Sequence, residues 1–297
     1  MDGILAINKP RGITSHDVVF KLRKILKTKK VGHTGTLDPE VNGVLPICVG
    51  RATRVSDYMM DSGKTYIAEI TLGTQTTTED QTGEVTDTII IEENKFYAED
   101  IDEVLLSLIG EIEQTPPMFS AVKVNGRKLY EYAREGKVIE RPSRIVHIYN
   151  ITRTSELNYH DNQVTFEIIV KCGKGTYIRT LATQIAEGLQ TVGHMSKLTR
   201  TESGGFSLEQ SYTLEELQNM SHDTIQTLLQ PLEKGLTHLP HHEVDAHTAQ
   251  RILWGQKIKG IALTEETVMT HQNKALGIYM PHPDYPNVVK ARKVFTE

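Results

Sequence analysis

Between residues 32 and 43 the chain reads Gly-His-Thr-Gly-Thr-Leu-Asp-Pro-Glu-Val-Asn-Gly. A histidine at 33 and a carboxylate at Asp38 are set among Gly32, Gly35 and Gly43. Glycine tolerates positive φ and lets backbone approach a ligand closely. Pro39 fixes its own φ and biases Asp38 toward an extended conformation. Asp38 is therefore expected on a stiff loop, which is what a catalytic carboxylate needs. The same residues also suit blander roles. Asp-Pro commonly forms a turn, and a lone histidine is commonly a hydrogen-bonded structural one. A phosphate cradle fits less well, because the loop lacks the Lys-Ser/Thr pair of a P-loop.

The elements around this loop can be read from periodicity. Gly3 to Ile7 suits a short strand. Thr14 or Ser15 can cap a helix with Asp17 in its first turn, where negative charge is favoured. Val18, Leu22, Ile25 and Leu26 then form one apolar stripe. Tyr66, Ala68, Ile70 and Leu72 alternate as one face of a strand, followed by a Thr-rich polar loop over 73–83. Ile101, Val104, Leu105, Leu108 and Ile109 mark a helix. Asn125-Gly126 between two extended arms is a strong hairpin signal, with a short helix ending at Gly136. Strands are expected over 144–152 and 163–171, and a helix from near Tyr177 with Ile178, Leu181, Ile185 and Leu189 on one face. Helices and strands alternate without regular βαβ spacing, which predicts an α+β domain with a mixed or antiparallel sheet. Residues 206–236 suit a helical connector in which Thr213 caps Leu214. The texture changes from about residue 239, with short extended pieces at 275–280 and 288–295.

The chain has 297 residues and a net charge of −5, an unusual sign for an RNA binder. The distribution says more. Residues 1–64 hold 11 basic against 6 acidic residues, leaving 22 against 32 in the rest. Lys21, Arg23, Lys24, Lys27, Lys29 and Lys30 run directly into the Gly-rich loop and suit a phosphate-contacting face. No apolar run approaches the ~20 residues of a membrane span, and the N-terminus lacks a secretory pattern. Cys48 and Cys172 are too far apart for a metal or redox motif, which fits a reducing cytoplasm. His238, His241, His242 and His247 lack the cysteine or carboxylate partners typical of zinc sites, so a solvated turn is the plainer reading.

Several words, taken in order, carry a resemblance. They are Asn8-Lys9-Pro10-Arg11-Gly12-Ile13-Thr14-Ser15, Gly32 to Pro39, Gly43-Val44-Leu45-Pro46-Ile47 and Lys64-Thr65-Tyr66. Pro117 to Lys123, Leu129 to Gly136 and Lys174-Gly175-Thr176-Tyr177-Ile178-Arg179-Thr180 follow. Together they resemble the bacterial TruB family of tRNA pseudouridine-55 synthases, over most of the chain to about Gly205. Val41, where the family usually has Ala, and Asn8, where Asp is common, are the departures. The resemblance implies the pseudouridine synthase fold over residues 1–238. It also implies a small β-rich PUA-like RNA-binding domain over 239–297.

The implied reaction isomerises uridine 55 in the tRNA T-loop. The bond between ribose C1′ and uracil N1 breaks, the base rotates, and C5 bonds to C1′. It needs no redox change, hydrolysis or energy input, so neither cofactor nor metal is expected. The resemblance makes Asp38 the nucleophile. A carboxylate can attack base or sugar covalently, or stabilise an electron-poor sugar, and the residues leave these routes open. A buried carboxylate tends to protonate and needs a cationic partner, for which the resemblance points to Arg179. It also implies that Tyr66 stacks on the flipped uracil and serves in proton transfer. Tyr177 and Leu198 would line the base pocket, and His33 would fill the space vacated by the base. Lys9 is carried over as a further substrate contact. Expected partners are the T-arm of tRNA, with no membrane and no obligate protein partner, and the chain is expected to be a monomer. Three other readings compete: a non-catalytic RNA-binding scaffold, a catalytic subunit guided by a separate RNA, and a glycoside hydrolase. The last would want a second acid near Asp38, and Glu40 is poorly placed for it.

Overall fold

The computed structural model describes residues 1–296, which fall into two units. The first comprises residues 1–62 together with the chain from Ser203 onward; the second is Gly63–Glu202.

In the first unit the strand Gly3–Lys9 pairs antiparallel with Asn42–Val49, in register from Gly3 opposite Val49 to Lys9 opposite Gly43. Val31–His33 pairs along the other edge of Asn42–Val49. The Gly-rich loop therefore leaves a strand at His33 and re-enters the sheet at Asn42. The helix Ser15–Ile25 starts as its sequence predicts. Thr14, not Ser15, is the N-cap, in a capping box with Asp17. Val18, Leu22 and Leu26 turn inward, and Lys21 and Lys24 outward. Arg23 departs from the expected basic face: it is half-buried and donates to the Val31 carbonyl at 3.3 Å. The 206–236 stretch is helical in pieces, Leu214–Gln218 and His222–Leu228, the first capped by Thr213.

The C-terminal part is a five-stranded sheet in the order His241–Glu243, Thr267–His271, Lys274–Pro281, Val288–Val294, Ile258–Lys259. Its first pair is parallel. The helix Ala246–Leu253, capped by Asp245, covers an apolar cluster of its own that includes Ile252, Met269, Tyr279 and Val289. Val268, Ala275, Ile278 and Phe295 instead pack with Ile4, Val44, Cys48 and Met59. That shared core is why residues after 239 group with the first 62 residues.

In the second unit the strand order is Gly193–Ser203, Lys64–Leu72, Gln163–Cys172, Arg144–Arg153, Gly110–Gln114. The last four pair antiparallel. Tyr66, Ala68, Ile70 and Leu72 are buried, as alternation predicts, and Ile67 is exposed. The helices Ala98–Ser107 and Ile178–Gly188 carry buried apolar stripes. Asn125 and Gly126 both take positive φ, +52° and +81°, in the expected tight hairpin.

Candidate active site

The Gly-rich loop is fastened from both sides. Lys9 has no exposed surface, and its ammonium donates to three carbonyls: Pro10 at 2.9 Å, Ile13 at 2.7 Å and Pro39 at 3.1 Å. Gly12 N donates to the same Pro39 carbonyl at 2.9 Å. Ser15, released from capping, accepts from Leu37 N at 2.8 Å and donates back to Leu37 O at 3.1 Å. Thr34 donates to Pro46 O through its backbone and its hydroxyl. Gly35 takes φ +136°, where a side chain is strained. Leu37 and Val41 are the buried plugs on either side, 6% and 4% exposed.

Asp38 itself is exposed. This corrects the expectation of a buried carboxylate. The chain turns outward at Pro39–Glu40, closed by Val41 N donating to Asp38 O at 3.0 Å. Burial falls on the flanking apolar residues instead. Lys9, expected as a substrate contact, sits buried beneath the loop, where its ammonium holds three backbone carbonyls. His33 is half-buried at the end of its short strand, and its Nδ1 accepts from Gly35 N at 3.3 Å.

The remaining predicted site residues lie in the second unit. Tyr177 is the N-cap of Ile178–Gly188. Its amide donates to Gln114 Oε1 at 2.9 Å, and its carbonyl accepts from Gln114 Nε2 at 3.2 Å. The Arg144 guanidinium lies 4.9 Å from the Tyr177 ring centre, within cation–π range. Arg179, in the first turn of the helix, is 6% exposed. It donates to Thr78 O at 3.2 Å and to Phe119 O at 3.0 Å. Tyr66 and Leu198 are each 8% exposed on the strands Lys64–Leu72 and Gly193–Ser203. Arg179 and Tyr177 thus share a helix start, whereas Asp38, His33 and Lys9 belong to the first unit.

Two functional candidates escaped the sequence reading. Asp80 Oδ2 lies 3.8 Å from Arg179 Nη1. Its other oxygen accepts from Thr78 Oγ1 at 2.7 Å and Thr82 N at 2.9 Å. Glu79 accepts from Thr180 Oγ1 at 2.9 Å. Burial pushes the Glu79 carboxyl above its ordinary range, against the pull of Thr180, Arg179 and Arg141. The spacing Thr78-x-Asp80-x-Thr82 is an Asx/ST-turn pattern. In a Thr-rich stretch that pattern reads as plain loop. The two cysteines are buried, and burial pushes Cys48 up to about 12 and Cys172 to about 11, so neither is a nucleophile at neutral pH. Among the described residues no group of three or more His, Cys, Asp or Glu side chains is placed to hold a metal ion.

Residues 23–178 match the TruB family pseudouridylate synthase N-terminal domain, and residues 179–237 the tRNA pseudouridylate synthase B C-terminal domain. A protein named tRNA pseudouridine synthase B from Staphylococcus haemolyticus is 55% identical, with 99% of each chain covered. Its namesake from Staphylococcus aureus (strain Newman) is 54% identical over the same share. Among solved structures, the chain resembles one in a Cbf5-Nop10-Gar1 complex, with a TM-score of 0.73 and 28% identity. It also resembles one in an H/ACA RNP bound to a substrate RNA containing 2′-deoxyuridine, with a TM-score of 0.72 and 25% identity. Each alignment covers 99% of this chain and 85% of the other.

Proposed function

The chain belongs to the TruB family of pseudouridylate synthases, and from that premise we propose that it isomerises uridine 55 in the T-loop of tRNA to pseudouridine. The observation that carries the reading is the Gly32–Pro39 loop. Lys9 and Ser15 hold its backbone from beneath, while the Asp38 carboxylate stands exposed to a substrate. A fixed nucleophile removes much of the entropic part of a barrier before the reaction starts.

The steps follow from the residues. Uridine 55 flips out of the folded T-loop, at a cost of a few kcal/mol, and His33 takes the vacated space. The Asp38 carboxylate attacks the base or C1′, and the C1′–N1 bond breaks. The free uracil turns within a pocket walled by Tyr66, Tyr177 and Leu198. C5 then bonds to C1′, the carboxylate leaves, C5 loses its proton and N1 gains one. Atoms and charge balance without a co-reactant, so no cofactor or metal enters the scheme. Arg179, buried at the start of Ile178–Gly188, is the basic residue that this reading assigns to the site. A guanidinium has five donors in a rigid fork, enough to serve carbonyls and carboxylates together. The exposed basic face of Ser15–Ile25 and the C-terminal sheet grip the T-arm. The protein acts in the cytoplasm as a monomer, without an obligate protein partner. No helix among the described residues is long and apolar enough to cross a membrane.

The test uses the purified chain alone. Unmodified tRNA transcript is incubated with it and pseudouridine is mapped along the RNA. Formation at position 55 is the expected result. Modification only after a guide RNA is added would favour the guided-subunit reading, and absence of any product would sink the isomerase.

A further inference from the structure

Glu79 is a non-glycine residue in the left-handed region, at φ +61°. Glycine or asparagine would hold that turn with less strain, so a long acidic side chain there invites an explanation. Its carboxylate turns inward and accepts from Thr180 Oγ1. Thr180 lies in the first turn of Ile178–Gly188, one residue beyond Arg179. That helix has no side-chain N-cap and no acidic residue of its own in the first turn. Glu79 supplies from outside the negative group that a helix start favours.

The same residue is tied down a second way. Met195 N donates to Glu79 O at 3.1 Å, and Gln81 N donates to Met195 O at 3.2 Å. The loop over 76–84 is thus fastened to the strand Gly193–Ser203 by backbone and to the helix Ile178–Gly188 by the Glu79 side chain. The flanking residues Thr78 and Asp80 are those that meet the Arg179 guanidinium. Loop and guanidinium cannot move separately while Glu79 holds Thr180.

We propose that Glu79 is a positioning residue, whose grip on Thr180 fixes the Arg179 guanidinium for the isomerisation. This rests on the reading under Proposed function. The charged groups facing Glu79 are Arg179, Arg141 and Asp80, so its effect on Arg179 is both steric and electrostatic.

Three variants separate the possibilities. Glu79→Gly relieves the positive φ, and Glu79→Ala keeps it without the carboxylate. Glu79→Gln keeps an oxygen that Thr180 can donate to. Single-turnover rates on tRNA transcript and KM are measured beside hydrogen–deuterium exchange over 76–84 and 178–183. We expect Glu79→Gly to melt no lower than the parent, yet to lose about tenfold or more in rate with KM within about twofold. Exchange in both segments should rise, and Glu79→Gln should restore most of the rate. Unchanged exchange in Glu79→Gly overturns the anchoring. Raised exchange with a rate within threefold of the parent overturns the link to catalysis. A parent that makes no pseudouridine fails the isomerase reading and removes the catalytic half, while the exchange result still decides the anchoring half.

Discussion

Arg179 Nη1 lies 3.8 Å from Asp80 Oδ2, with the two side chains only 7% and 16% exposed. Asp80 gives Arg179 a carboxylate within its own unit, in the Thr-rich loop, in addition to the Asp38 partner expected from the sequence. Asp80 also closes that loop on Thr78 and Thr82, so one carboxylate shapes the turn and orients the guanidinium. Asp80→Asn keeps the shape but weakens the charged contact. We expect a loss of about 1–3 kcal/mol of stability, about 2–6 °C in melting temperature for a chain of this size. The isomerisation rate should fall by more than tenfold. Calorimetry with a parallel tRNA assay measures both, and a variant with the parent rate would show that Asp80 is only a loop staple.

Asp38→Asn should abolish isomerisation and leave tRNA affinity within about tenfold, or 1.4 kcal/mol. Binding rests on phosphate and stacking contacts, and the chemistry on one exposed carboxylate. Near-normal turnover would remove Asp38 from the mechanism.

Much of this was legible in the residues because the signals are local. Caps at Thr14 and Thr213, the Asn125-Gly126 turn and the alternation from Tyr66 to Leu72 each depend on neighbours within a few positions. Gly193–Ser203 was not legible as a strand, since its sequence is polar and its buried face includes His194 and Arg200. The buried His194 ring meets Thr74, 120 residues away, which no local pattern can foretell. The same reason hid Asp80 and Glu79, whose partners Arg179 and Thr180 are about a hundred residues on. Lys9 shows the same limit from the other side. The resemblance gave Lys9 only as a substrate contact, and nothing local tells that three carbonyls converge on it.

Lys24→Glu with Lys27→Glu should weaken RNA binding and reduce its salt dependence. Both lysines are exposed, and Lys24 sits 4.5 Å from the Phe20 ring centre on the outer side of Ser15–Ile25. For every phosphate that a lysine no longer neutralises, the slope of log K against log salt falls by about 0.7–0.9. Filter binding across a salt series reads it directly. An unchanged slope would turn this helix away from the RNA.

Glu79 gives the fold a pH dependence whose sign can be worked out. Its folded pKa is raised above the unfolded value by burial. The native state then holds this proton more tightly than the unfolded chain, so stability falls as pH rises from the ordinary carboxylate range through the raised value. Glu79→Gln removes the titration. The difference in melting temperature between Glu79→Gln and the parent should therefore shift in the variant's favour between about pH 4 and pH 8. A pH-independent difference would mean that Glu79 carries no such penalty.

Lys9 separates loop support from substrate contact. Lys9→Met fills the same space and removes the donor to Pro10, Ile13 and Pro39 carbonyls. Losing a charged donor to part-buried carbonyls costs about 1–3 kcal/mol per bond. Some of that is offset because a buried charge is removed as well. The expected loss is about 2–4 kcal/mol in urea unfolding. With the Pro39 carbonyl held by the Gly12 amide alone, the Asp38 turn loses part of its floor, and kcat should fall while tRNA affinity stays within about threefold. The opposite pattern, full stability with affinity lowered tenfold or more, would restore Lys9 as a residue that touches the RNA.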